Sequence, residues 1–139
     1  MATKADFTED EWETMQKGVT GAGMLVSIGD RDFTDSFGEA SALAKHLAKQ
    51  REQNESQFIR ELAAMRGTGF GLTASQQEVQ AETVEALGSA IATLTAKAPD
   101  EVDAYRRLAL ETAEAVAEAK GEVAPGETAA IAAIREALG

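Results

Sequence analysis

Apolar side chains recur at three- and four-residue spacing along almost the whole chain, and no stretch alternates β-branched with polar residues. That pattern gives helices a face to bury and gives strands none, so the chain is predicted to be all-α. Thr8 and Glu11 make a capping box ahead of a stripe through Trp12, Met15, Val19, Ala22 and Val26, which predicts a first helix ending near Ile28. A second helix is predicted from Asp35 or Ser36 to about Glu52, with Phe37, Ala40, Ala44 and Leu47 inward. The polar run "REQNESQ" interrupts the pattern near Asn54, as a break or a kink, and Phe58, Ile59, Leu62 and Met65 resume it in a short third helix.

"RGTGFGLT", residues 66 to 73, reads as the longest loop, because a glycine inside a helix costs about 1 kcal/mol relative to alanine. Phe70 within it is either a plug for the core or an anchor for a partner. Thr73 and Gln76 form a second capping box, after which Val84, Leu87, Ile91 and Leu94 step through a long helix ending before Pro99. Asp100 is expected to cap the next helix, with Val102, Tyr105, Ala109, Thr112, Ala113 and Val116 inside and Gly121 as its stop. Pro125 suits the first turn of a last helix that buries Ala130, Ile131, Ile134 and Leu138.

Six to seven helices in 139 residues fit a single compact domain over residues 1 to 139. The chain has five Phe, one Trp and one Tyr, so its inner faces are largely alanine and glycine and its helices must approach closely. Gly18, Gly21 and Gly23 in "KGVTGAGML" are read as such contacts, since the spacing and lysine–serine ending of a phosphate loop are missing.

Several function classes drop out on chemistry. The chain has no cysteine, which removes disulfides, thiolate catalysis and Cys-ligated metals. A formal charge of -11 without a basic stripe disfavours nucleic acid and acidic membrane surfaces. No apolar run approaches the roughly 20 residues of a membrane span, and "MATKADFTEDEWE" lacks a signal-peptide core, so a cytoplasmic location without membrane insertion is expected. The lone His46 has no Glu-x-x-His companions and reads as a surface or boundary residue. The rows Glu78, Glu82, Glu85 and Glu111, Glu114, Glu118 read as solvated helix faces. With no nucleophile-elbow pattern beside a single histidine, no enzymatic activity is expected.

Two segments share a shape, a helix, an acidic bend and a second helix with glutamate on its first turn. "SIGDRDFTDSFGEASAL", residues 27 to 43, and "AEAKGEVAPGETAAI", residues 117 to 131, align when Phe33 is matched to Val123, Asp32 to Glu122 and Glu39 to Glu127. The chain therefore reads as pseudo-duplicated helical hairpins whose bends gather acids at one end of the domain. Asp30, Asp32 and Thr34 alternate as in an EF-hand, but Asp35 and Ser41 stand where that loop needs glycine and glutamate. Oxygens of Asp30, Asp32, Asp35 and Glu39 suit weak calcium binding, against the alternative of turn chemistry and N-terminal capping, in which Asp35 and Glu39 favour a helix start.

These bends resemble the paired "A-D-G-x-hydrophobic … E" turns of the TerB-like, tellurite-resistance family, and the resemblance runs from the first helix to the last. It implies about seven helices in pseudo-twofold halves and an acidic surface cluster for a divalent cation such as calcium. It also implies association with stress response, membrane-linked complexes and metal sensing, with no settled enzymatic activity. Carried over residue by residue, it selects Asp30 and Glu39 in the first bend and Gly121 and Glu127 in the second, while Arg31 replaces the family's glycine and Lys120 its aspartate. With Asp32 and Glu122 from the duplication and Asp35 from the oxygen donors of the first bend, the expected metal ligands are Asp30, Asp32, Asp35, Glu39, Glu122 and Glu127. The expected function is a non-catalytic adaptor or stress-response module with a protein partner. The alternative is a helical bundle that binds a small ligand or lipid.

Overall fold

The computed structural model describes residues 3–29, 36–64, 75–118 and 125–139, except the side chains of 27–29, 36–41, 76 and 125–127. Its six α-helices are α1 (Glu9–Gly29), α2 (Ser36–Gln53), α3 (Gln57–Ala63), α4 (Gln76–Lys97), α5 (Val102–Glu118) and α6 (Pro125–Leu138). Short 3-10 turns at Lys4–Asp6 and Pro99–Glu101 precede α1 and α5, and the described residues include no strand.

Helix α1 is the axis of the bundle, because residues 18–26 carry no charge and can be covered on every side. All of them are buried except the half-buried Met24, and each of the other five helices packs against α1. The close approach expected at its glycines is found. A β-carbon on Gly18 would stand 2.5 Å from the Tyr105 hydroxyl and one on Gly23 would stand 2.8 Å from Leu43 Cδ1. One on Gly21 would collide with Thr83 Oγ1.

Side-chain contacts fix the directions of the helices. The Tyr105 hydroxyl donates to the Met15 carbonyl at 2.8 Å, and Gly23 lies against Thr112, so α5 runs parallel to α1. Lys97 pairs with Glu11 at 2.5 Å, Lys17 pairs with Glu82 at 3.2 Å, and Thr83 covers Gly21, so α4 runs antiparallel to α1. Arg106 Nε donates to the Leu138 carbonyl at 2.9 Å, which returns the end of α6 to the start of α5. The C-terminal ends of α1 and α5 and the N-terminal ends of α4 and α6 consequently share one end of the bundle.

Local signals decide the boundaries. The break at Asn54 is a true interruption: Asn54 Oδ1 accepts from the Ser56 N–H at 2.9 Å, and the Ser56 hydroxyl caps α3 by accepting from Ile59 N–H. The cap expected from Thr73 is instead supplied by Ser75, whose hydroxyl accepts from Glu78 N–H, with Gln76 as the first helical residue. Asp100 does not cap α5 but lies inside the Pro99–Glu101 turn. Val84 and Ala44, expected inside, are exposed. The buried face of α4 is Val79, Thr83, Ala86, Leu87, Ala90 and Leu94, and half of it is too small to show in a search for large apolar residues.

Candidate functional site

Helix ends place what the two acidic bends attach to. α1 ends at Gly29 and α2 begins at Ser36; α5 ends at Glu118 and α6 begins at Pro125. Because α1 and α5 run in parallel, both bends leave from the same end of the bundle. Asp30, Asp32, Asp35 and Glu122 lie outside the described residues, as do Arg31, Lys120, Gly121 and the 65–74 segment that holds Phe70. Glu39 and Glu127 fall on the first turns of α2 and α6, their side chains outside the described set. Among the described residues, no group of three or more His, Cys, Asp or Glu is arranged to hold a metal ion. The six expected ligands, Asp30, Asp32, Asp35, Glu39, Glu122 and Glu127, are all carboxylates, the hard oxygen donors that calcium takes, and their mutual arrangement lies outside the described residues.

The other polar candidates behave as ordinary surface and boundary groups. Glu78, Glu82, Glu85, Glu111 and Glu118 are exposed and Glu114 is half-buried. His46 is half-buried on α2, and its Nε2 has no hydrogen-bond partner among the described residues. Burial pushes its pKa down, Lys49 reinforces this, and Glu111 across on α5 opposes it. The Tyr105 phenol is fully buried and its pKa is pushed upward by desolvation, so it serves as a hydrogen-bond donor between helices.

At the opposite end of the bundle the first turn of α1 carries a cluster that local patterns announce only in part. The expected capping box forms, with Thr8 N–H donating to Glu11 Oε1 at 2.8 Å and Glu11 N–H to Thr8 Oγ1 at 3.1 Å. The same carboxylate receives Lys97 at 2.5 Å, and that ammonium stands 5.9 Å from the centre of the Phe7 ring. Beside it an open groove of about 600 Å³ runs between the Lys4–Asp6 turn, Trp12 and Glu61. Lys97 is too far along the chain from Glu11 for spacing to pair them.

The Lys97 hydrogen bond, helped by the Thr8 N–H, holds the Glu11 carboxyl below its ordinary 4.5. A depressed carboxyl pKa stabilises the fold above the unfolded value, and that contribution is lost as pH falls through the folded value. Wild-type protein and Glu11→Gln should therefore differ by a constant amount in urea midpoint near neutrality and converge below about pH 4. The exposed pair should also weaken with salt. A gap unchanged down to pH 3 would remove ionised Glu11 as its cause.

Compared with protein-family models, curated proteins and solved structures, the chain matches none of them. Among the described residues no helix is long and apolar enough to cross a membrane.

Proposed function

We propose that this chain is a non-catalytic, TerB-like helical adaptor or stress-response module of the cytoplasm. It acts by contacts with a protein partner and carries a weak divalent-cation site in its two acidic bends. The observation that supports this reading is the parallel course of α1 and α5, which brings the starts of both bends to one end of the bundle. Carboxylates from two halves can then serve one hard cation, while the positive charges of Arg31 and Lys120 lower its affinity. Affinity on the order of 10⁻⁴–10⁻³ M is expected for such a site.

Calorimetric titration with calcium tests it. Wild type should release saturable heat in that range, and Glu39→Gln and Glu127→Gln should each weaken binding several-fold, because each removes a ligand charge from a different half. No heat at millimolar calcium would remove the cation site, and loss through one variant alone would remove its shared character. The second reading, a bundle that binds a small ligand or lipid, is favoured by the groove beside Trp12.

A further inference from the structure

His46 is the chain's only histidine, and it stands where α2 packs against α5. The residue as a whole is half-buried, but its Nε2 atom is shut off from solvent and has no hydrogen-bond partner among the described residues. A neutral imidazole can leave its bare nitrogen there at modest cost. An imidazolium cannot, because both ring nitrogens then carry protons and the buried Nε2–H has no acceptor.

The helix that carries this ring has little else to hold it. Along the described residues 42–53 of α2, Leu47 alone is buried, whereas α5 buries a stripe from Tyr105 to Ala117. Nor do the surrounding charges hold the ring as a cation. On α2, Lys45 and Lys49 are exposed, and the Lys49 ammonium opposes a second positive charge. From α5 the exposed Glu111 carboxylate favours one, but burial outweighs it; Arg107 is exposed one turn away, and Glu114 turns to Arg135 at 3.6 Å. On α3, Arg60 donates to the Asn54 carbonyl at 2.7 Å and Glu61 accepts from Lys4 N–H. Residues 18–26 of α1, where Gly23 meets Leu43, carry no charge.

We propose that His46 is an acid-operated latch for α2, closed on α5 while the ring is neutral and released when the ring takes up a proton. Lifted into solvent, the ring titrates near the free value of about 6.5, and in the closed bundle burial holds it lower. The released state therefore binds more protons. Closure weakens as pH falls below about 6.5 and stops weakening once pH is below the closed-state value. Ordinary carboxylates and lysines do not change charge in that window. The rest of the bundle stays together, because α1, α4 and α5 are joined through Gly18, Gly21 and Tyr105. Release uncovers Gly23, which Leu43 now covers.

A single histidine gives a single set of imidazole resonances, so proton NMR of the intact chain reads the latch directly. The ring should titrate below the free value. Amides of residues 42–53 should lose protection against exchange several-fold between about pH 7 and 5, after correction for intrinsic rates, while those of α4 hold. Glu111→Gln should lower the ring's midpoint and deepen the loss, Lys49→Gln should raise it and lessen the loss, and His46→Gln should abolish the pH dependence. Glu111 and Lys49 are exposed, so their variants keep the test open whatever His46→Gln does to folding. The proposal is overturned by a ring that titrates at or above the free value, by equal loss of protection in α2 and α4, or by a pH dependence that survives in His46→Gln.

Discussion

Gly21→Ala is expected to destabilise the protein by about 2 kcal/mol, although alanine is the better helix former by about 1 kcal/mol. The added methyl would overlap Thr83 Oγ1 and stand 3.0 Å from Thr83 Cβ and 3.1 Å from its Cγ2. Thr83 has no room to give way, being fully buried on the face of α4 that packs against α1. Its hydroxyl also has no hydrogen-bond partner among the described residues, so Thr83→Ala removes the obstructing atoms without breaking a bond. The pair should couple: Thr83→Ala in the Gly21→Ala background should recover about 1 kcal/mol relative to the sum of the single changes. Gly88→Ala, with open space around it, should stabilise dilute protein by up to about 1 kcal/mol. Urea midpoints at low protein concentration measure all of these. A neutral or stabilising Gly21→Ala would mean that α1 and α4 are not held at glycine distance.

That contrast shows why the fold was largely legible in the sequence and where legibility stopped. A chain short of large side chains had to bring helices together through small ones, and Gly18, Gly21 and Gly23 stood in the uncharged stretch of α1 where α2, α4 and α5 close in. The same economy hid the orientation of α4. Once Ala86, Ala90 and Thr83 carry half the buried face, Val84 no longer marks the inside, and apolar bulk points to the wrong stripe. Helix starts failed in a related way. Thr73 and Ser75 both precede the apolar run and both can cap, and the choice between hydroxyls two residues apart depends on where α4 meets α1. Proline was a surer guide, since its missing N–H and fixed φ leave few options: α4 ends just before Pro99 and α6 opens on Pro125.

The candidate site was legible as composition and only partly as placement. Acids in two matching bends could be read from residues 30 to 39 and 122 to 127, but whether those bends adjoin depends on helix direction, which periodicity does not contain. The parallel course of α1 and α5 comes from contacts ninety positions apart, such as the Tyr105 hydroxyl on the Met15 carbonyl. The Glu11 and Lys97 pair, 86 positions apart, is of the same kind. Each half of that pair had an adequate local explanation, a capping box for Glu11 and a basic helix end for Lys97, and a local explanation gives no reason to look further.

Phe58→Ala should cost about 3–5 kcal/mol and loosen one end of the bundle before the other. Phe58 is 1% exposed, and its ring lies 5.7 Å from both Phe7 and Trp12, edge-on to the indole. These three rings join elements that little else connects: the chain entering α1, the first turn of α1, and the short α3. Backbone contacts there are few, chiefly Lys4 N–H donating to Glu61 at 2.9 Å and the Gln16 side chain donating to the Leu62 carbonyl at 3.2 Å. A helix of seven residues cannot hold itself in water, so α3 stays helical because Phe58, Ile59 and Leu62 are buried. Emptying the Phe58 site should leave α1, α4 and α5 paired through Gly18, Gly21 and Tyr105 while amides of residues 57–63 lose protection against hydrogen exchange. Trp12 is the only tryptophan, so its fluorescence reports the change directly, and its emission should shift to the red in Phe58→Ala under native conditions. Phe58→Leu, which keeps most of the volume, should lose about 1–2 kcal/mol and retain the protection. Equal loss of protection in α3 and α5 would show that the aromatic cluster and the glycine-lined contacts unfold as one unit, and that α1 does not hold its two ends independently.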